Sequence, residues 1–346
     1  MKHALRVFAW LLLASLVSLA VIADPLDQPA QASPLADKRL INGIVHAGPD
    51  RLVAVGQRGH ILFSDDAARS WKQAKNVPVS SDLTAVQFVD AKIGFAVGHD
   101  GVVLRSGDGG LSWTKVLDGR GVNRLVLQQL NEMPSGPERD RLLLEAQRNM
   151  EQGPDKPFLD LYFTSASQGF IVGAYNLILE TLDGGHSWQS WYAQTDNDKL
   201  LNLYAIRAHR GGIYIAGEAG LLLKLDARTR RFTALHSAYA GSYFGLVDAP
   251  AGLIAFGMRG NALLSRDEGA SWQPLATQLQ ASITAAALAG DGAVLLADQS
   301  GGIARSADGG AGFVRVPLPA AMPLAALAVT PTGLILGGPR GLRTAP

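Results

Sequence analysis

The stretch from residue 98 to residue 113, GHDGVVLRSGDGGLSW, decides the fold. It contains a Gly-x-x-Gly turn at 98–101, an apolar run, and a Ser-x-Asp-x-Gly-x-x-Trp pattern at 106–113. Both patterns return along the chain in the same order, and self-similarity at a fixed period is typical of repeat architectures. The period of this unit therefore predicts the kind of repeat.

The Gly-x-x-Gly pattern occurs seven times when two degenerate copies are included. Most copies follow one short β-prone stretch and precede another, as the turn of a β-hairpin does. The clear copies are 56–59, 98–101, 217–220, 257–260 and 338–341, and the degenerate copies are 173–176 and 298–301. This count predicts seven equivalent sheets.

The second pattern is the Asp-box, also called the bacterial neuraminidase repeat. Its recognisable copies have these residues at the Asp and aromatic positions: Asp66 and Trp71, Asp108 and Trp113, Asp183 and Trp188, Asp267 and Trp272, and Asp308 and Phe313. A worn copy spans 226–232. Most neighbouring boxes lie about 40–45 residues apart, which suits one four-stranded propeller blade.

The chemistry of the box favours a structural role over catalysis. Glycine permits the positive φ of a tight turn, and the Asp carboxylate can accept backbone N–H bonds across it. The aromatic residue then begins the next strand, where its ring can pack between neighbouring sheets. We therefore expect the five Asp residues and their aromatic partners to hold turns and blades together.

Together the two series predict an all-β, seven-bladed β-propeller of four-stranded blades over residues 39–346. Residues 341–346 fall within the third strand of blade 7, which leaves its outer strand missing. We expect residues 24–38 to be a linker or the closing strand of blade 7, since such an exchange protects an open edge.

Residues 118–157 interrupt the β pattern between blades 2 and 3. Apolar residues at helical spacing predict two short helices, at 125–133 and 138–150, bounded by Pro and Gly. Two interpretations stay open: a helical cap that packs on its own blade, and an arm that contacts a client protein.

Residues 1–23 are predicted to be a secretory signal peptide. Lys2 and Arg6 precede an apolar run at 7–23, and small residues allow cleavage after Ala23. The alternative is an uncleaved membrane anchor, because the run has nearly the length of a spanning helix. The expected location is the periplasm.

Composition excludes several classes of function. The 346 residues contain no cysteine, which excludes disulfides, thiolate nucleophiles, zinc fingers and a cysteine-linked lipid anchor. The formal net charge of +1 gives no indication of nucleic-acid binding. His60, His99 and Asp100 occur near turns, but a metal would need three converging ligands. We expect no metal and no cofactor.

The seven Gly-x-x-Gly turns with Asp-boxes behind a secretion signal resemble the photosystem II stability/assembly factor family. The resemblance covers residues 39–346 and implies a seven-bladed propeller. Members in cyanobacteria and chloroplasts bind a photosystem subunit through an arginine-rich surface and are not enzymes. Relatives in other bacteria are periplasmic, with membrane exporters among their candidate clients. The resemblance thus implies a non-catalytic scaffold or assembly factor for a membrane protein complex.

The rival class is a carbohydrate-active or carbohydrate-binding propeller, because sialidases also contain Asp-boxes. The Arg-Ile-Pro motif of sialidases is missing from residues 38–43. Asp100 and Glu218 lie on the turns of blades 2 and 4, and the separation of such a carboxylate pair would decide its chemistry.

Three arginines are the candidate partner-binding residues. Arg58, Arg259 and Arg340 occupy Gly-x-x-Gly turns of blades 1, 5 and 7, on the face opposite the Asp-boxes. With Asp100 and Glu218 on the other side, this face would be polarised and suited to orient an acidic partner. The alternative is that these are ordinary solvated turn arginines.

Overall fold

The computed structural model describes residues 24–318 and 322–346 as a ring of seven antiparallel sheets. The predicted signal peptide at 1–23 lies outside the described residues. Blades 1 to 3 contain β1 (Ile41–His46), β2 (Leu52–Gly56), β3 (Ile61–Ser64), β4 (Lys72–Gln73), β5 (Leu83–Phe88), β6 (Gly94–Gly98), β7 (Val103–Ser106), β8 (Thr114–Leu117), β9 (Phe158–Phe163), β10 (Gly169–Gly173), β11 (Ile178–Thr181) and β12 (Gln189–Ser190).

The remaining blades repeat this order from the innermost strand outward. Blades 4 to 7 contain β13 (Leu203–His209), β14 (Gly212–Gly217), β15 (Leu222–Asp226), β16 (Arg231–Ala234), β17 (Tyr243–Ala249), β18 (Gly252–Gly257), β19 (Ala262–Ser265), β20 (Gln273–Pro274), β21 (Ile283–Leu288), β22 (Val294–Asp298), β23 (Ile303–Ser306), β24 (Val314–Val316), β25 (Ala326–Thr330), β26 (Gly333–Gly338) and β27 (Gly341–Ala345). Strand β1 contacts both β5 and β25, which closes the ring. The seven-bladed propeller predicted from the repeats is confirmed.

The box aromatics lie at the boundaries between blades. Trp113 of blade 2 is 3% exposed and packs with Val53 and Phe63 of blade 1. Each of the six boxes, including the worn copy, places its aromatic ring between its own blade and the preceding one: Trp71, Trp113, Trp188, Phe232, Trp272 and Phe313. The hydrophobic core is therefore divided into slabs between blades.

Residues 24–38 correct one prediction, because they form no closing strand. They contain two 3-10 turns, Pro25–Asp27 and Ala36–Lys38, and among the described residues blade 7 has three strands. Leu26 is fully buried between blades 1 and 2. Its burial holds the start of the segment away from blade 7, whereas Ala36–Lys38 at the end of the segment still contacts β27.

Polar contacts fix this segment along blades 1 and 2. The Ala30 amide donates to the Val77 carbonyl at 3.0 Å, and the Lys115 ammonium donates to the Leu26 carbonyl at 2.7 Å. Arg120 forms ion pairs with Asp24 and Asp27. We call residues 24–38 the strap, since they tie the first two blades together.

Two helices leave the ring between blades 2 and 3, as predicted. Helix α1 spans Gly119–Glu132 and α2 spans Pro137–Gln152. Helix α1 begins earlier than the periodicity indicated, because the Asp118 carboxylate accepts the amides of Arg120 and Gly121 as an N-cap. Val122, Val126, Leu130, Leu142 and Ala146 are buried in the same core cluster as Phe158 and Leu161 of blade 3. One side of the insertion is therefore packed on the propeller.

Candidate functional site

The Gly-x-x-Gly turns connect the second and third strands of each blade and lie together on one face, here called the turn face. In five of them, the residue before the second glycine position adopts a left-handed conformation although it is not glycine. These residues are Arg58 (φ 56°), Asp100 (φ 59°), Tyr175 (φ 52°), Ala219 (φ 52°) and Arg259 (φ 56°). Left-handed backbone is unfavourable for such side chains, so other contacts must hold it in place.

Two hydrogen bonds hold the turn. In blade 1 the Gln57 amide donates at 3.1 Å to the Leu40 carbonyl, which precedes the innermost strand of the same blade. The Arg58 amide donates at 2.7 Å to the Asp82 carboxylate, which precedes the innermost strand of the next blade. The second bond therefore joins neighbouring blades.

The same inter-blade bond recurs around the ring. The Tyr175 amide donates to the Asn202 side chain, the Ala219 amide to the Ser242 hydroxyl, and the Arg259 amide to the Ser282 hydroxyl. Because the backbone amides make these bonds, the turns do not require the side chains of Arg58, Tyr175, Ala219 and Arg259. Arg58, Tyr175, Ala219 and Arg259 are all exposed.

The three predicted arginines all lie on the turn face and are exposed. None of them forms an ion pair within 24–318 and 322–346. Arg340 and Arg58 are on adjacent blades, whereas the turn of blade 6 separates Arg259 from Arg340. Arg340 and Arg58 therefore lie on neighbouring turns, Arg259 lies apart beyond blade 6, and the three do not form one compact cluster.

The turn of blade 7 differs from the other turns. It is a two-residue hairpin in which Gly338 pairs with Gly341, and the left-handed residue is Gly341 at φ 81°. Arg340 thus sits in a shorter turn than Arg58 and Arg259. The sequence spacing alone made the three positions look equivalent.

The two predicted carboxylates are separated by blade 3 and are both engaged in local bonds. The Asp100 carboxylate accepts from the Ser81 hydroxyl at 2.6 Å, and the Glu218 carboxylate accepts from the Asn202 amide at 3.2 Å. Between them lies Tyr175. No bond of either carboxylate links it to the other.

Tyr175 is a candidate site residue that the sequence analysis did not select. It is 52% exposed, and the Lys156 ammonium lies 5.4 Å from its ring centroid. A groove of about 550 Å³ opens beside it, lined also by Arg141, Lys199 and Glu218. The sequence did contain a signal for this residue, because a large aromatic side chain occupies the third position of the turn at 173–176.

The innermost strands enclose a central cavity of about 440 Å³. Its Asp160 carboxylate is buried and accepts bonds from the Arg207 guanidinium at 2.5 Å and the Ile206 amide at 2.9 Å. Burial raises the pKa of Asp160, while the neighbouring Arg207 charge opposes that shift. The Asp160 carboxylate therefore joins blades 3 and 4, and its bonds to Arg207 and Ile206 serve that structural contact.

The Asp-boxes lie between the third and fourth strands, at the opposite end of the propeller from the turn face. In blade 1 the Asp66 carboxylate accepts the Ser70 hydroxyl at 2.6 Å, the Ser70 amide at 2.9 Å and the Ser64 hydroxyl at 2.8 Å. These bonds, with those from Ser70 dominant, lower the pKa of Asp66 to about 2.

The same set of bonds surrounds Asp108, Asp183 and Asp267, and Asp308 accepts backbone amides in the same way. Hydrogen bonds from Ser187 and Ser271 lower the pKa values of Asp183 and Asp267 to about 2. Carboxylates held in this way are poor proton donors at neutral pH.

Within the described part of the chain, no group of three or more His, Asp or Glu side chains is arranged to hold a metal ion. His60 is buried and His99 is exposed. None of the helices formed by residues 24–318 and 322–346 combines the length and apolar character needed to cross a bilayer.

A family model described as "Photosynthesis system II assembly factor YCF48" matches residues 29–115 and 144–238. This chain belongs to that family. The matched residues cover blades 1 to 4 and residues 29–38 of the strap, and the unmatched gap covers helix α1 and the start of α2. The resemblance stated from the sequence is confirmed.

A relative by sequence is the Photosystem II assembly lipoprotein Ycf48 of Synechococcus sp. (strain CC9902), 34% identical over 77 residues. The match covers 22% of this chain and 23% of that protein, so it spans about a quarter of the relative's length. That protein is named a lipoprotein, whereas the 346 residues here contain no cysteine.

Several solved structures share the fold. YCF48 from Cyanidioschyzon merolae has a TM-score of 0.64 at 18% identity and covers 89% of this chain and 96% of its own. A structure of YCF48 bound to D1 peptide has a TM-score of 0.63 at 16% identity, covering 92% and 99%. The WD40 propeller domain of Doa1 follows at 0.60 and 11%, covering 92% and 95%. These likenesses show the fold alone.

Proposed function

We propose that this protein is a non-catalytic scaffold of the periplasm, which holds a subunit of a membrane protein complex during assembly. Membership of an assembly-factor family supports this function. The related YCF48 bound to D1 peptide supports a protein segment as the client. Membrane exporters and other membrane complexes are candidate clients here.

One observation carries the proposal: the turn face displays arginines on a rigid frame. Arg58 and Arg259 extend from backbone that is bonded to the next blade, and both are exposed without an ion-pair partner among the described residues. Guanidinium groups bind carboxylates in a bidentate manner and are enriched at interface hot spots. A frame that does not reorganise lowers the entropic cost of binding.

Photo-crosslinking in native cell envelopes tests this function. A photoreactive residue would replace Arg58, Arg259 or Arg340 in one set of variants. In the control set it would replace Arg69, Arg228 or Arg266, which are exposed arginines of the Asp-box loops. We expect one membrane-complex subunit to be crosslinked from the turn face and not from the box face.

The same experiment can contradict the proposal. Equal crosslinking from both faces, or crosslinks only to abundant envelope proteins, would remove the turn face as a client site. Crosslinks confined to soluble periplasmic proteins would contradict the membrane-complex client.

A further inference from the structure

We propose that the outer edge of β27 in blade 7 binds an extended, acidic segment of a partner protein, which adds a fourth strand to that blade. This inference rests on the proposed function, because it names a way in which a client docks. It concerns the strand edge of blade 7, which meets the turn face at Arg340.

The first observation is an open strand edge. In blade 1, Leu62 and Phe63 of the third strand pair with Gln73 and Lys72 of the fourth. Blades 2 to 6 have a fourth strand as well, but among the described residues β27 pairs with β26 alone. An edge of this kind is a template for another strand.

The second observation concerns residues 37–40, which lead into blade 1. They occupy the same place as the segments that connect the fourth strand of other blades to the next blade. In blades 1 and 5 a backbone carbonyl lies against the second glycine of the Gly-x-x-Gly turn: Val79 against Gly59, and Leu279 against Gly260. Each carbonyl belongs to the residue four positions before the next innermost strand. A Cβ added to either glycine would lie 2.1 Å from the carbonyl oxygen. The Asp37 carbonyl, four residues before β1, presses on Gly341 at the same 2.1 Å.

Upstream of Asp37 the strap departs from that route. The carbonyl of Gln31 accepts the Gln73 side-chain amide of blade 1 at 2.9 Å, and Ala30 bonds to Val77. The position of a fourth strand in blade 7 is thus left without any of the residues at 24–318 and 322–346.

The third observation identifies the backbone groups on offer. In blades 1, 3, 4 and 5 the carbonyl of the first residue of the third strand accepts the N–H of the residue that follows the fourth strand, at 2.8–2.9 Å. Ile61 does so in blade 1 while its side chain packs towards blade 2. Leu342 is the equivalent residue of blade 7, because it pairs with Gly337 as Ile61 pairs with Val55, and it packs against blade 1. Since alternate residues share an edge, Leu342 and Thr344 present N–H and C=O groups outward.

The charge around this edge selects the partner. Residues 322–346 contain two charged side chains, Arg340 and Arg343, both exposed and both without an ion pair among the described residues. Lys38 and Arg39 lie at the adjoining end of the strap, and the Asp37 carboxylate there is paired with Lys38 at 2.9 Å. A strand with carboxylates would be attracted, whereas a basic strand would be repelled.

The test uses the full chain and a labelled ten-residue peptide in which Glu alternates with Val and Thr. One control peptide has N-methyl groups on alternate amides, which removes strand donors and keeps the charge. A second control has Lys in place of Glu. Fluorescence anisotropy measures binding, and amide hydrogen exchange reports protection at Leu342 and Thr344.

We expect the Glu peptide to bind and to slow exchange at both amides. The N-methylated peptide should bind about tenfold more weakly, as expected for the loss of one or two hydrogen bonds. Thr344→Pro removes an outward N–H and should weaken binding to a similar extent, while Thr344→Ala should not. If Thr344→Pro lowers the melting temperature, the comparison of the Glu peptide with the N-methylated peptide on the unaltered protein tests the inference instead.

Three results would overturn the inference. They are equal binding of the methylated peptide, protection of these amides before any peptide is added, and protection that depends on protein concentration. The second would show that this chain's own residues fill the position, and the third that a second copy does. Crosslinking from Arg58 and Arg259 is independent of this edge, so its success would leave the proposed function in place.

Discussion

The two faces of the propeller use glycine-rich turns in opposite ways. In the Asp-box loops the side chains hold the turn: Asp66 binds Ser64 and Ser70, and Trp71 packs between blades. On the turn face the turn's own amides hold it, and the amide of Arg58, for example, donates to the Asp82 carboxylate of the next blade. The box therefore repeats its residues, whereas the left-handed position varies among Arg, Asp, Tyr and Ala.

This difference separates folding from binding within one repeat. A side chain that already makes three local bonds has little capacity for a partner. A side chain that its own turn does not need can change without loss of the fold. The variable positions on a rigid frame are thus where a function specific to this chain can lie.

The largest effect should come from removing a box aromatic. We expect Trp113→Ala to lower the free energy of unfolding by about 3–5 kcal/mol, because the buried ring leaves a cavity between blades 1 and 2. Trp71→Ala is the matched control and should have a smaller effect, since Trp71 is only partly buried. Denaturant unfolding measures both, and an unchanged midpoint for Trp113→Ala would contradict the packing role.

The left-handed positions should respond to backbone rather than to side-chain chemistry. Arg58→Val should cost about 1–3 kcal/mol in unfolding free energy, because a β-branched residue is strained at φ 56°. Arg58→Gly should be neutral or slightly stabilising. If both variants unfold at the same denaturant concentration, the turn does not require the left-handed conformation.

The box carboxylates should make the protein sensitive to acid. Asp66, Asp183 and Asp267 have pKa values of about 2 in the folded chain, below the ordinary value near 4. Their contribution is complete above about pH 4 and is lost as the pH falls towards 2. Melting temperatures between pH 5 and pH 2 should therefore fall less steeply for Asp183→Asn than for Asp50→Asn, which alters an exposed loop. Identical slopes would contradict this origin of the acid sensitivity.

Most of the fold was predictable because its signals are local. The seven Gly-x-x-Gly turns predicted the blade count, and the apolar residues at helical spacing predicted the two helices. The start of α1 at Gly119 was missed because Asp118 was not recognised as its N-cap. The closing strand was predicted wrongly because the fit of Leu26 between blades 1 and 2 depends on contacts far away in sequence. The same holds for the left-handed Arg58, whose acceptor Asp82 belongs to the next blade.

The candidate site was predictable only in part. The arginines were found because they recur in a visible motif, and they do lie on the turn face. Arg340 was wrongly treated as equivalent to Arg58 and Arg259, because its hairpin is one residue shorter than theirs. Tyr175 was not selected because tyrosines spread along a propeller sequence were expected to pack between blades, and only the structure shows its ring to be exposed.

The most direct test compares matched charge reversals on the two faces. Arg58, Arg259 and Arg340 are changed together to Glu in one variant, and Arg69, Arg228 and Arg266 in the other, so that both carry the same net change. Client capture from envelope extracts is measured for each variant after its unfolding curve is shown to match that of the unaltered protein. We expect the turn-face variant to capture the client at least tenfold more weakly, about 1.4 kcal/mol, and the box-face variant to capture it normally. Equal capture by the two variants would contradict the assignment of binding to the turn face.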